Sequence, residues 1–250
     1  MKQIFLYLLI LLFQSIIAQT PEEYFKQGNI AYKNADYQLA VQKYEKAINP
    51  DKESGTLYFN LANAYYKLNK IAPSVYYYEK ALKLNPDDED ILHNLKLAQQ
   101  MKIDKIKKVP VGLIEKINRK IAETFSTHIW GILAVVWAFL GLGFFILFLF
   151  SSKSNLKRIG FVMMFLSLFV FLFSWHNAGI SHKISFEKYA IIFTDNTTLQ
   201  AEPNLTSDKI TNLHEGTKIK LLKKENNWQL IKLSDGKKGW VPTNDFRIIE

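Results

Sequence analysis

Residues able to do chemistry are few, and their spacing decides what kind it is. Five histidines, His93, His128, His176, His182 and His214, are scattered along the chain with no pair at metal-ligand spacing. Cysteine is absent, which removes a thiol nucleophile, disulfides and a thiol for lipid attachment. Neither a Gly-x-Ser-x-Gly elbow nor a phosphate-cradling glycine loop followed by Lys and Ser or Thr occurs. With no nucleophile, base and orienting group gathered in one segment, the sequence predicts no enzyme, no metal site and no cofactor. Amides and phenols do recur. Asn29 and Asn63 are 34 residues apart, as are Tyr24 and Tyr58, Tyr32 and Tyr66, and Tyr44 and Tyr78. An amide side chain both donates and accepts, so a row of them can bond a peptide backbone in both directions. The chemistry to expect is recognition.

The elements that must position these residues carry the same period. Gly28 pairs with Ala62, Lys33 with Lys67, Ala40 with Ser74 and Ala47 with Ala81, and "AVQKYEKAI" at 40–48 is echoed by "SVYYYEKAL" at 74–82. Small residues fall where helices cross closely and aromatics where they fill the space between. Pro50 and Pro86 follow the second helix of each unit, because proline cannot continue the hydrogen-bond ladder, while Pro73 is tolerable in a first turn. On these residues the segment 21–86 resembles the tetratricopeptide repeat family, whose unit has this length. The predicted all-α domain covers 20–105, with repeats at 21–54 and 55–88 and a capping helix in "DEDILHNLKLAQQM". The resemblance implies a concave partner-binding face on the first helix of each repeat. Carried onto this chain, it comprises Phe25, Asn29, Tyr32 and Lys33, then Phe59, Asn60, Asn63, Tyr66 and Lys67, then His93, Asn94 and Leu97. Packing between helices is the alternative role for each aromatic. A clamp for acidic peptide C-termini is not implied, since Phe25, Asp90 and Asn94 stand where cations would be required.

Three apolar blocks interrupt the polar texture. Lys2, the charge-free run from Ile4 to Phe13 and the small residue Ala18 at a cleavage point predict a signal peptide over 1–18, although Ile16 is larger than usual for its place, with an uncleaved anchor as the alternative. Residues 129–150 contain no charge and are long enough to span a bilayer, and 159–175 form a second, shorter candidate that extends through the weakly polar "HNAGI" to 180. The loop 151–158, with Lys153, Lys157 and Arg158 and no acid, reads as cytoplasmic. The competing cations Lys116, Arg119 and Lys120 precede the first span, and the signal peptide decides between them. The linker 106–128 places Ile114, Ile117, Ile121 and Phe125 on one stripe, which predicts an amphipathic helix at the headgroups or a continuation of the span.

After the second span short alternating runs begin, separated by "KENN" and "SDGKKG". Asp235-Gly236 is a hairpin signal. The stretch "LHEGTKIKLLKKENNWQLIKLSDGKKGWVP" resembles bacterial SH3-like domains, which implies a small all-β barrel over 186–250 that binds cell-wall peptides or protein. Trp228 and Trp240 supply either bulk to that core, the leading expectation, or a possible ligand surface.

The whole reads as a multidomain membrane protein of repeats, transmembrane hairpin and SH3-like barrel, with repeats and barrel each folding around its own core. The net charge of +9 suits membrane lipid or an anionic envelope polymer outside the cytoplasm, or serves general solubility alone, and nucleic acid is not expected. The order of segments, with "NLKRIGF" and "HEGTKIKLL", resembles the BatE family of the Bacteroides aerotolerance operon. That resemblance implies an inner-membrane scaffold acting beside von Willebrand factor A-domain membrane proteins and a MoxR-type ATPase; the signal peptide and the two-span hairpin place the N- and C-terminal domains on the periplasmic side. The other reading is a protein attached to peptidoglycan through its SH3-like domain, with the repeats as spacer.

Overall fold

The computed structural model describes residues 20–107 and 109–249, and the expected signal peptide 1–18 lies outside the described residues. The chain forms two compact units, one from the segment up to Ile106 together with Tyr189 onward, the other Lys107–Lys188.

In the first unit five helices follow in order: α1 (Pro21–Lys33), α2 (Tyr37–Ala47), α3 (Gly55–Lys67), α4 (Ile71–Leu84) and α5 (Glu89–Gln100). Their starts are written locally. Thr20, Asp36, Ser54 and Asp88 each accept a first-turn backbone N–H, worth about 1 kcal/mol apiece. Ala35 and Asn69, one repeat apart, turn the chain inside each helical pair with φ of 59° and 57°. Tyr44, Tyr58 and Tyr78 are fully buried between the helices. A Cβ on Gly28 would lie 2.5 Å from the Tyr44 ring, so the small residue there lets the two helices close.

Tyr189 onward folds into a seven-stranded antiparallel sheet: β1 (Lys188–Ile192), β2 (Asn196–Gln200), β3 (Lys209–His214), β4 (Lys218–Glu225), β5 (Trp228–Lys232), β6 (Lys238–Pro242) and β7 (Phe246–Ile248). The strand order is β3-β2-β6-β5-β4-β1-β7. Gly216 and Gly236 take positive φ, 78° and 90°, at the β3–β4 and β5–β6 turns. Ala190, Ile192, Leu199, Leu213, Ile219, Ile231, Leu233, Val241 and Phe246 form the core inside the sheet.

Sheet and repeats do not keep separate cores, contrary to the expectation from sequence. β1 is buried on both faces: Ala190 and Ile192 enter the sheet core, while Ile191 packs with Ala62, Ala72, Val75, Tyr78, Leu95 and Ala98 of the repeats. The joint is polar around its edge. Asp104 accepts from the His214 backbone N–H and the Thr217 hydroxyl, each at 2.7 Å, and lies 2.7 Å from His214 Nδ1. Lys218 Nζ donates to the buried Glu79 carboxylate at 2.6 Å. Glu215 accepts the Ala72 N–H at 3.4 Å, at the start of the helix whose N-cap, Lys70, makes no side-chain cap. Tyr76 donates to the Ile248 carbonyl and meets Phe193 edge-on at 5.6 Å.

The second unit holds α6 (Leu113–Ala122), α7 (Thr127–Phe150) and α8 (Ser154–Ser185). α7 and α8 have 24 and 32 residues and are long and apolar enough to cross a membrane. They pack along Gly160, Ser167, Ser174 and Ser181, all buried on α8 at intervals of seven residues. A Cβ at Gly160 would stand 3.0 Å from the Phe144 carbonyl, so a side chain there would push the two backbones apart by a few tenths of an ångström. The outward surfaces stay apolar, with Phe139 71% and Phe169 67% exposed. α8 begins before the predicted span, so Lys157 and Arg158 belong to its first turns rather than to a loop. On α6, Leu113, Ile114 and Ile117 are exposed, and Arg119 pairs with Glu123 and with Glu187 beyond α8.

Candidate functional site

Asn29, Tyr32, Lys33, Asn60 and Asn63 line one open pocket of about 310 Å³ together with Tyr44. Its order comes from a repeated hydrogen-bond unit. The Asn29 Oδ1 accepts from the Tyr44 hydroxyl at 2.8 Å and from Asn60 Nδ2 at 3.0 Å. One repeat on, Asn63 Oδ1 accepts from the Tyr78 hydroxyl and from Asn94 Nδ2 at 3.0 Å. Each central amide therefore has its oxygen engaged twice and its Nδ2 left as a donor, while Asn60 and Asn94 keep their Oδ1 atoms as acceptors. Within the pocket, Asn29 and Asn63 thus offer donors and Asn60 an acceptor.

Burial pushes the Tyr44 phenol up to about 12, with Tyr32 adding to the rise and a hydrogen bond with Asn60 opposing it. Burial raises Tyr78 as well. Both phenols are therefore protonated, and able to donate to the amides, at neutral pH.

The remaining candidates separate by role. Phe25 packs on Tyr44 at 5.9 Å and Phe59 on Tyr78 at 6.0 Å, and both, with Tyr66, pack against the helical core. Lys67 and His93 are exposed and stand outside the pocket lining, as does the half-buried Asn94. Tyr44 and Tyr78 were missing from the sequence-derived face. Their signal was present in the 34-residue pairing, but only the fold brings a second-helix phenol against a first-helix amide.

On the sheet, Trp228 and Trp240 are half-buried and absent from the inner core, which corrects the leading expectation of core packing. Strand alternation explains it. Gln229, Ile231, Gly239 and Val241 point inward, so their neighbours Trp228, Leu230 and Trp240 take the opposite face, where Trp228 pairs with Pro242 and Leu230 with Trp240. On that face Lys220, Lys232 and Lys238 stand abreast across β4, β5 and β6. Like charges directly opposite are destabilising, and these strands lie inside the sheet rather than at its edges. Among the described residues no group of three His, Asp or Glu could hold a metal ion.

Comparison with known proteins agrees with this division. Residues 195–246 match the bacterial SH3 domain family, and residues 56–88 match the tetratricopeptide repeat family. A tetratricopeptide repeat-containing protein of Methanocaldococcus jannaschii is 26% identical over 123 residues, 47% of this chain and 22% of that protein. Stress-induced-phosphoprotein 1 of Caenorhabditis elegans is 40% identical over 57 residues, 23% of this chain and 18% of that protein. The chain thus spans about a fifth of the length of these curated relatives. It carries a helical tetratricopeptide region, two long apolar helices and an antiparallel bacterial SH3 domain, and both matched domains are of kinds that bind other molecules.

Proposed function

We propose that the protein is an inner-membrane adaptor that holds a peptide-binding tetratricopeptide groove and an SH3-like module together outside the cytoplasm. The observation that carries the reading is the shared core around Ile191, clasped by Asp104 and His214. The segments before and after the apolar hairpin pack as one unit, so a hairpin that crosses the bilayer twice must leave both on the same side. The signal-like N-terminus and the acid-free Lys153, Lys157 and Arg158 at the hairpin's turn support the outer side. The groove receives an extended backbone on its alternating amides. The BatE-like order of segments supports, as a finer reading, a place in an aerotolerance or envelope-stress complex beside von Willebrand factor A-domain proteins and a MoxR-type ATPase.

The test exploits the absence of native cysteine. Lys52→Cys and Lys223→Cys should react with an impermeant thiol reagent in intact spheroplasts, and Ser152→Cys should react only after permeabilisation. Labelling of position 152 alone would sink the adaptor reading.

A second reading has its own observation. The outer face of β4–β6, with Trp228, Trp240 and abreast lysines, favours attachment to an anionic wall polymer such as peptidoglycan, and the repeats would then act as spacer. Full-length protein should in that case sediment with purified wall, and Lys232→Gln with Lys238→Gln should release it.

A further inference from the structure

Where the two apolar helices meet at their turn, an open hollow of about 430 Å³ is lined by Phe148, Ser154, Lys157, Arg158, Phe161 and Val162. Phe148 comes from the end of α7 and the other five from the first turns of α8. The wall is aromatic and aliphatic: Phe148 and Phe161 stand 5.5 Å apart, and Phe161 and Val162 are 46% and 62% exposed. The rim is cationic. Lys157 Nζ lies 5.5 Å from the Phe148 ring centre, and neither Lys157 nor Arg158 has an acidic partner among the described residues. No Asp or Glu occurs between Glu123 and Glu187, so nothing on either helix neutralises Lys153, Lys157 and Arg158.

We propose that this hollow binds one anionic glycerophospholipid, an inference that rests on the membrane-hairpin reading above. The lipid phosphate accepts hydrogen bonds from the Lys157 ammonium, the Arg158 guanidinium and the Ser154 hydroxyl, and an acyl chain runs along Phe161 and Val162. Charge selects the headgroup: a zwitterionic lipid brings a second, cationic group to a place with three cations and no acid to receive it. Chemistry of the wall selects lipid over free phosphate, because an inorganic ion would satisfy the rim and leave Phe148, Phe161 and Val162 bare.

The test uses full-length protein in a neutral detergent, titrated in mixed micelles with fluorescent phosphatidylglycerol while phosphatidylcholine or inorganic phosphate competes. Saturable binding of about one phosphatidylglycerol per chain is expected, with phosphatidylcholine at least tenfold weaker and phosphate at ten millimolar without effect. Lys157→Gln with Arg158→Gln should lower affinity about tenfold at unchanged helicity, and Lys116→Gln with Lys120→Gln, which removes equal charge elsewhere, should not. Equal binding of the two lipids, or an unaffected Lys157/Arg158 variant, overturns the proposal. Competition by inorganic phosphate as strong as by lipid overturns the lipid assignment. Alkaline carbonate extraction of cells separates the two levels: wild type released into the soluble fraction defeats the hairpin reading, whereas a Lys157/Arg158 variant that stays in the membrane isolates any loss to the lipid site.

Discussion

Asn29 shows how one residue gains a defined direction. A free amide could present either end to a ligand, but Tyr44 and Asn60 both donate to its oxygen, so Nδ2 is the end left to bond one. Tyr44→Phe should therefore weaken capture of an extended peptide while costing stability only about 1 kcal/mol, the value of one neutral hydrogen bond. Parallel measurement of partner recovery and urea midpoint checks this; a fall in both by the same proportion would point to packing alone. The same phenol predicts an alkaline limit. Its pKa rises on folding from 10.0 to about 12, so the unfolded chain loses the proton first. The stabilisation is complete below pH 10 and disappears as pH climbs through 12, so denaturation midpoints should hold through neutral pH and fall above about 10.

Among the elements, the turns inside the helical pairs divide into a comfortable and an uncomfortable copy. Asn69 suits a left-handed φ, whereas Ala35 adopts φ 59° with a Cβ that disfavours it. Ala35→Gly should raise stability by about 1 kcal/mol, read as an upward shift of the urea midpoint. The helical hairpin rests on a different device. Its seam of Gly160, Ser167, Ser174 and Ser181 falls every seven residues, a spacing concealed by the surrounding phenylalanines and leucines in a scan for apolar length. Helix existence was legible from hydropathy, but which face of α8 meets α7 depends on where side chains are small enough for the backbones to approach.

At the scale of the molecule, the joint between repeats and sheet makes stability a shared property. Burial alone would raise Asp104, but the His214 backbone N–H, the His214 ring, the Thr217 hydroxyl and the His214 charge together hold its carboxyl below the ordinary 3.8. A carboxylate depressed on folding stabilises the native state at neutral pH, and that contribution is lost as pH falls below about 4. Asp104→Asn should destabilise repeats and sheet together by about 2–4 kcal/mol near pH 7 and flatten the acid limb of stability, to which Glu53, held low by Lys80, also contributes. Circular dichroism for the helices and, in a chain whose Trp130, Trp137 and Trp175 are replaced by Phe, fluorescence of Trp228 and Trp240 for the sheet, followed in one urea titration, should show coincident transitions. Two separate midpoints would mean that the joint is only a contact. Gly216 adds a steric reason for coupling: it has positive φ, and a Cβ there would meet Ile71 at 2.8 Å, so Gly216→Ala disturbs a turn of the sheet and the start of a repeat helix at once.

The amino-acid sequence alone determined the parts, because each has a period that local physics enforces. Recurrence every 34 residues wrote the paired helices, runs without charge wrote α7 and α8, and alternation with Asp235-Gly236 wrote the strands and their turn. It also placed Asn29, Asn60 and Asn63 on one face. What it left undecided depends on contacts across long chain separations, where no period exists to read. Trp228 and Trp240 looked like core because bulk is needed, and strand register put them on the outer face instead. Asp104 and His214 are 110 residues apart, and nothing in their sequence neighbourhoods joins them. Ile191 carries the same lesson most plainly: in sequence it is one of two adjacent isoleucines on a strand, and only a structure that packs helices against the second face of that strand gives both of them an interior.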